Sequence, residues 1–488
     1  MRPAFLKWVA GWALCCAVGS AVGQGLYFRL DGDRLWLQAE SVPLAQLLEQ
    51  FVRAGVDVRL DPRIDSTVTA SVRGTELNAA LPGLLERYDY MLTWRMLRGP
   101  LGRIPKLQEI QVFMPGDRRE ARRMPRRSSR FETTRGVADS APEFVRDEML
   151  VGVRPGTTYE RFKRLLDQVG GMIVDADAAT GVYLIRFPPG TNVEALLEQV
   201  QRSPIVARAE LNYVTRLPRA AATASGRGAL PDVRPPADGT VPVAVLDSGL
   251  DPAAGLAGII SAAWDAIEPD RAVSDPAGHG TQMAMIAAGL ISADGGASGA
   301  ALPVVSVRAF DEDGKTSNFA IIQALAYATQ AGARVVNMSW GSETDSEFMR
   351  TAMQVASGEG LMLVASAGNT PSGRPVYPAA YPNVIGVGGV TASGQPWENS
   401  NRGDFVALSA PASATLPVGH HGPPGAYAGT SISSAVVAHA LAQYRNRHPR
   451  ASAADVWAAL EASLSPAPAA GFGQGVLDAA ALQRFLSP

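Results

Sequence analysis

From Thr240 onward the chain alternates short apolar runs with helical stretches. Val241–Leu246, Val304–Val307, Val335–Met338, Leu361–Val364 and Val384–Val387 are almost unbroken in apolar side chains. A strand that is apolar at successive positions is buried on both faces, unlike the alternating strand of a half-exposed sheet. Helical stretches intervene, Thr281–Leu290 and Phe319–Gln330 among them. Such strands are joined by helical crossovers, which makes the sheet parallel and covers it on both sides. The expectation is an α/β domain with a doubly wound parallel sheet over 240–488, preceded by two small α+β domains. In sheets of this kind chemistry collects at the carboxyl ends of the strands.

Four segments place reactive side chains there. Asp247 ends the first strand in Val243-Ala244-Val245-Leu246-Asp247-Ser248-Gly249, and Asn369 follows the strand through Val364 in Ser366-Ala367-Gly368-Asn369. His279 in Gly278-His279-Gly280-Thr281 and Ser431 in Gly429-Thr430-Ser431-Ile432-Ser433-Ser434-Ala435 open helices. A serine at a helix start is by itself an ordinary N-cap. The free N–H groups and dipole at that end also favour a developing negative charge. The segments run in the order Asp, His, Ser, with 32 residues from Asp247 to His279 and 152 from His279 to Ser431. Together they resemble the signature of the subtilisin-like serine proteases, the subtilases.

That resemblance, which runs from Thr240 to the C-terminus, implies a mechanism. A serine hydroxyl is a poor nucleophile until a neighbouring base takes its proton. His279 is the best-placed base among the five histidines. The other four, His420, His421, His439 and His448, lie outside the Gly-His-Gly-Thr context and read as surface or helix residues. Asp247 would hold the imidazole in its working tautomer, and Asn369 would donate its amide to the tetrahedral oxyanion beside the Ser431 N–H. Val335-Val336-Asn337-Met338-Ser339-Trp340-Gly341 is similar to the family segment that pairs with substrate as a strand, so Ser339, Trp340 and Gly341 are expected to bind substrate. Tyr377 to Ile385 is similar to the loop behind the specificity pocket. Many subtilases have glycine at the floor of that pocket, where this chain has Val376. A stiff valine there implies a preference for alanine, valine or leucine before the scissile bond, unless the loop Pro371–Pro375 takes another path and Val376 points away. Other departures are Ala435 in place of a usual proline, and Gln282 and Met285 after Gly-His-Gly-Thr. In relatives the stretch before the first catalytic strand helps to bind calcium. Here a linker replaces it, so no cofactor or metal is expected and no calcium site is inferred.

Upstream of Thr240 the chain divides into smaller pieces. Residues 1–23 read as an export signal: Arg2 and Lys7, an apolar run from Trp8 to Gly19, and small residues at Ala21-Val22-Gly23. A membrane anchor is the alternative. The only cysteines, Cys15 and Cys16, lie inside it, so the mature chain would have no disulfide. No later stretch reads as a transmembrane helix, and the mature protein is expected to be periplasmic or secreted.

Residues 26–115 show two amphipathic helix patterns, on Leu44, Leu47, Leu48 and Phe51 and on Leu77, Leu81, Leu84 and Leu85, between strand-like runs. Val42 to Leu48 and Gly74 to Leu81 resemble the short N-terminal domain of secretins and TonB-dependent receptors, which implies a Gram-negative envelope and a protein partner there. An unrelated small α+β domain is the other reading. Residues 116–143, with eight arginines between Arg118 and Arg135, read as a flexible linker or a basic patch for acidic partners. Residues 144–215 pair two helix faces, on Phe162, Leu165, Leu166 and Val169 and on Val193, Leu196, Leu197 and Val200, with strands. Their close, Ile205 to Val214, resembles that of subtilase propeptides, which implies a ferredoxin-like βαββαβ unit that assists folding and inhibits the enzyme through its tail. Residues 216–239, rich in alanine, glycine and proline, read as a linker and a place for maturation cleavage. A formal net charge of −2 suggests no nucleic-acid partner. Two readings of function follow: an exported endopeptidase made as a zymogen and acting on peptides, or a catalytically silent fold acting as an envelope binding module through residues 26–115.

Overall fold

The computed structural model describes residues 26–31, 33–124, 131–136, 141–218, 222–225, 233, 236–237, 239–269, 271–295 and 301–487. The export-signal reading of residues 1–23 lies outside them. The chain divides into two compact units. Among the described residues no helix is long and apolar enough to cross a membrane.

The first unit is built mainly from residues 26–95 and 105–124. An antiparallel sheet of Leu26–Asp31, Arg34–Pro43 and Thr67–Glu76 is joined by a second sheet in which Asp57–Leu60 pairs parallel with Gly102–Phe113. The helix Leu44–Arg53 buries Leu44, Leu47, Leu48 and Phe51, the stripe that the sequence marks. The second helix spans Leu77–Leu84. The arginine-rich segment departs from the linker reading in part. Arg122–Arg123 forms a short strand beside Asp57–Leu60, with Arg123 ion-paired to Asp57 at 2.5 Å, and Arg118 donates to Gln111 Oε1. Strand pairing uses backbone groups, so a charged pair joins a sheet edge once acidic and amide side chains meet it. Thr133–Arg135 pairs in the same way with the start of the strand Glu143–Val153.

Among the described residues the second unit contains two main sheets, besides a three-stranded one of Ala222–Ser225, Gly425–Ala428 and Ser413–Leu416. The smaller has the order β1 (Glu143–Val153), α1 (Tyr159–Val169), β2 (Met172–Asp177), β3 (Val182–Arg186), α2 (Val193–Gln201) and β4 (Val206–Arg216). Its strands lie in the order β2-β3-β1-β4, all antiparallel, and Lys315–Ser317 of the larger domain continues the edge beyond β4.

The larger sheet has nine strands. Its parallel core comprises β5 (Val243–Asp247), β6 (Ile260–Asp265), β7 (Val304–Arg308), β9 (Val335–Met338), β10 (Met362–Ser366), β11 (Val384–Val390) and β12 (Leu408–Pro411), with β8 the strand Lys315–Ser317 just described. They lie in the order β6-β7-β5-β9-β10-β11-β12. Successive residues of a strand face opposite sides, and both sides are apolar here. Val243, Val245 and Val304 pack on one face with the helices α3 (His279–Ala287) and α6 (Thr430–Arg447). Ala244, Leu246, Val305 and Val307 pack on the other with α4 (Asn318–Gln330) and α5 (Glu347–Gly358). Leu150, Val174, Val182 and Leu184 of the smaller sheet join this second cluster. The architecture is therefore a doubly wound α/β domain with small α+β domains before it.

Candidate active site

Asp247 is the last residue of β5 and is fully buried. Its Oδ1 accepts from the Ser248 N–H at 2.7 Å and meets His279 Nδ1 at 2.7 Å. With Nδ1 carrying the proton, Nε2 is left as the basic nitrogen. His279 opens α3, and the two glycines beside it have separate reasons. Gly278 has φ 82°, and a Cβ on it would strike the Gly419 carbonyl oxygen. A Cβ on Gly280 would strike the Gly249 carbonyl oxygen, so only glycine lets the helix start lie against the turn that follows Asp247. Asp275 caps this end, its carboxylate accepting from Gly278 N, Thr281 N and Thr281 Oγ1. Burial disfavours a charged His279, but the Asp247 carboxylate, with Asp275 further off, outweighs it and holds the pKa above its ordinary value.

Ser431 lies at the start of α6 and is buried. Its Oγ donates to the Ser339 carbonyl at 3.1 Å rather than to His279, and its own carbonyl accepts from Ser339 Oγ and Ser434 Oγ. Bonds between nucleophile and base are often loose without substrate and tighten as the complex forms. Asn369 follows β10 on the same rim. Its Oδ1 accepts from Thr430 N and Thr430 Oγ1, both at 2.9 Å, which settles which end of the amide is oxygen. The Nδ2 end therefore faces the Gly429 turn, where a Cβ on Gly429 would lie 3.3 Å from it.

The residues expected to bind substrate divide. Ser339 is buried and holds the backbone of Ser431 and the side chain of Asn337. Strand pairing would use the backbone of Trp340, whose indole is buried in the core, 5.8 Å from the Phe310 ring, and donates to the Leu246 carbonyl. Gly341 and Gly368 face Val376. A Cβ on Gly341 would come within 2.5 Å of Val376 Cγ1, and one on Gly368 within 3.5 Å of Cγ2. The Val376 side chain thus fills the space between these two glycines.

Two further features escape a reading of the sequence. His420 is not a surface residue: it is 4% exposed, with its ring 4.8 Å from that of His279. His439, midway along α6, is also buried. Its Nδ1 donates to the Ala287 carbonyl at the end of α3, and its Nε2 has no hydrogen-bond partner among the described residues. Both environments disfavour charge, by burial first, and the His439 pKa falls to about 4.

The smaller sheet reaches the same rim. β4 pairs antiparallel with β8, Val214 opposite Ser317 and Arg216 opposite Lys315, and Leu217 N donates to the Gly314 carbonyl. Glu210 accepts from Ser346 Oγ at 2.6 Å and Glu347 N at 2.8 Å, at the start of α5. Asn212 Oδ1 accepts from Phe319 N at the start of α4. Burial raises the Glu210 pKa despite those bonds. Further along the chain, Ala222–Ser225 pairs antiparallel with Gly425–Ala428, the strand leading into Ser431.

Comparison with known proteins agrees with this geometry. The family model described as subtilase, peptidase S8, matches residues 238–476, and that of the fervidolysin N-terminal prodomain matches residues 133–212. A thermophilic serine proteinase of Bacillus sp. (strain AK1) is 30% identical over 293 residues, 56% of this chain and 72% of that protein. Thermitase of Thermoactinomyces vulgaris is 30% identical over 202 residues, 40% of this chain and 71% of that one. Subtilisin E of Bacillus subtilis (strain 168) is 34% identical over 233 residues, 46% of this chain and 60% of that one. The crystal structure of fervidolysin from Fervidobacterium pennivorans, titled a keratinolytic enzyme related to subtilisin, superposes with a TM-score of 0.57. The match covers 72% of this chain and 62% of that one at 21% identity, a likeness of fold. By its doubly wound sheet, its two glycine-started helices and these relatives, the chain belongs to the subtilase family of serine endopeptidases.

Proposed function

We propose that this protein is an exported endopeptidase made as a zymogen. It hydrolyses peptide bonds through Ser431 as nucleophile, His279 as general base and Asp247 as the group that orients it. The observation that carries this is the buried Asp247–His279 pair at 2.7 Å, on the same rim as a serine at a helix start. In the first step Ser431 Oγ attacks the scissile carbonyl carbon while His279 Nε2 takes its proton. The resulting oxyanion is met by the Ser431 N–H and Asn369 Nδ2. His279 then passes the proton to the leaving amine, and a water molecule repeats the sequence on the acyl-enzyme.

Residues 144–215 act as an intramolecular inhibitor that β4 delivers along β8, and maturation cuts the chain within 216–239. The pairing of Val214–Arg216 with Lys315–Ser317, and of Ala222–Ser225 with the strand before Ser431, supports this. Residues 26–115 serve as an interaction module for an envelope protein, and the periplasm or the extracellular space is where the enzyme works. A fluorophosphonate should label purified wild type and not Ser431→Ala, and only the wild-type precursor should process itself in a protease-free system. An unlabelled wild type, or an equally labelled variant, overturns the assignment.

A further inference from the structure

The peptidase reading leaves one buried titratable side chain beside the base without a role. Among the described residues His279 is hydrogen-bonded at Nδ1 alone, to Asp247. A ring held at one nitrogen can still swing about that bond, so the direction in which Nε2 points depends on what the ring rests against. It rests against His420, with ring planes 53° apart and centroids at 4.8 Å.

The segment that carries His420 is clamped to the start of α3 from several directions. His420 N donates to Tyr427 Oη, which itself donates to the Pro423 carbonyl. His421 N donates to the Ala277 carbonyl, and Gln282 Nε2 to the Val418 carbonyl. His421 has φ 49°, a left-handed turn that histidine tolerates better than most residues. Gly278 has no Cβ to push the Gly419 carbonyl away. The loop and the helix start are therefore fixed to one another, and His420 moves only if α3 does.

We propose that His420 is a positioning residue: it forms the wall that holds the catalytic imidazole of His279 in plane and dry. This rests on the peptidase reading. The choice of an uncharged ring fits the chemistry, because His279 becomes cationic in the transition state and a second cation in contact would oppose it. Burial, and then the neighbouring His279 and His421, bring the His420 pKa down to about 3, so it stays neutral wherever His279 works. The other titratable groups around the pair are Asp247 on β5, Asp275 before α3, His421 in the same loop and Tyr427 on Gly425–Ala428. Of these, the two carboxylates favour the cation on His279.

The test uses the full-length protein after self-processing, with His420→Ala and His420→Phe. Without the wall, His420→Ala should lose about ten- to a hundredfold in kcat, the scale of an ångström-sized misplacement, with KM little changed. Water admitted to the ring relieves the burial that opposes its charge, so the acid limb of kcat/KM should move to higher pH. His420→Phe, which keeps a flat neutral ring, should recover most of kcat and return the limb toward wild type. Unchanged kcat and acid limb in His420→Ala overturn the proposal. So does an equal loss in both variants that tracks a fall in Tm, which would make His420 ordinary packing. Fluorophosphonate labelling of wild type separates the two levels: if wild type does not label, the peptidase reading has failed, whereas labelling with indifferent His420 variants defeats only this proposal.

Discussion

The two faces of the large sheet treat their helix starts in opposite ways. On the face of α3 and α6 the N-caps are Gly278 and Gly429, neither of which offers a side chain to the first turn. On the face of α4 and α5 the N-caps are Ser317 and Ser346, each accepting from its own helix, and Asn212 and Glu210 of the smaller domain add to them. A helix start is a cluster of unpaired N–H donors. On the closed face, where each helix's own N-cap takes one of these donors, a prodomain docks; on the open face, where the cap is glycine, Asp275 and Asn369 take donors from neighbouring segments, and the proposed catalytic side chains sit there. The same backbone feature thus serves binding on one face and chemistry on the other.

Four changes test this contrast, beginning with the open face. Ser431→Ala should lower kcat by about a millionfold, the scale of the same change in subtilisin; a residual rate near wild type in a burst-free assay would break the contrast at its root. Asn369→Leu removes the side-chain donor but keeps the helix, and should cost about 10²–10³ in kcat with KM little altered. A loss confined to KM would instead make Asn369 a ground-state contact. Val376→Gly probes the rim between the two faces. Emptying the space between Gly341 and Gly368 should raise kcat/KM for phenylalanine before the scissile bond by about 10–200-fold, read from a peptide library. A wild-type profile already led by phenylalanine would show that Val376 does not limit the pocket.

The closed face should respond least. Glu210→Gln keeps one oxygen to accept from the Glu347 N–H but removes the titration. The raised pKa of Glu210 means that docking takes up a proton, so its contribution is fully present below the free-glutamate value of 4.5 and is lost as pH rises through the docked value. Release of the prodomain should therefore speed up with rising pH in wild type and depend less on pH in Glu210→Gln, as followed by the appearance of peptidase activity. Identical pH dependence in both would remove Glu210 from the docking energetics.

Much of the large domain is legible in the residues themselves. Val304, Val335 and Val384 open strands because runs apolar on both faces have few other homes. Asp247 and His279 meet because the strand end and the Gly-His-Gly-Thr helix start are spaced for it. The hairpin Leu26–Asp31 with Arg34–Pro43 is harder to read, because it buries one face on Leu35, Leu37 and Ala39 and carries Arg29 and Arg34 among them. The strand at Arg122–Arg123 has no apolar signal at all, being held by backbone pairing and by Asp57. His420 lies beside His279 through a loop clamp formed across more than a hundred residues of sequence, and nothing within Gly419-His420-His421-Gly422 announces it.

The buried imidazole of His439 has a consequence for acid tolerance. It joins the middle of α6 to the end of α3, the two helices that carry the proposed nucleophile and base, and it is held there uncharged. The unfolded chain takes up a proton on this histidine near pH 6.5, while the folded chain resists until about pH 4. Between those values the unfolded state binds more protons, so stability falls as the medium acidifies, by about 3 kcal/mol across the window. An enzyme whose prodomain grips harder at low pH is thus also one whose catalytic scaffold weakens there.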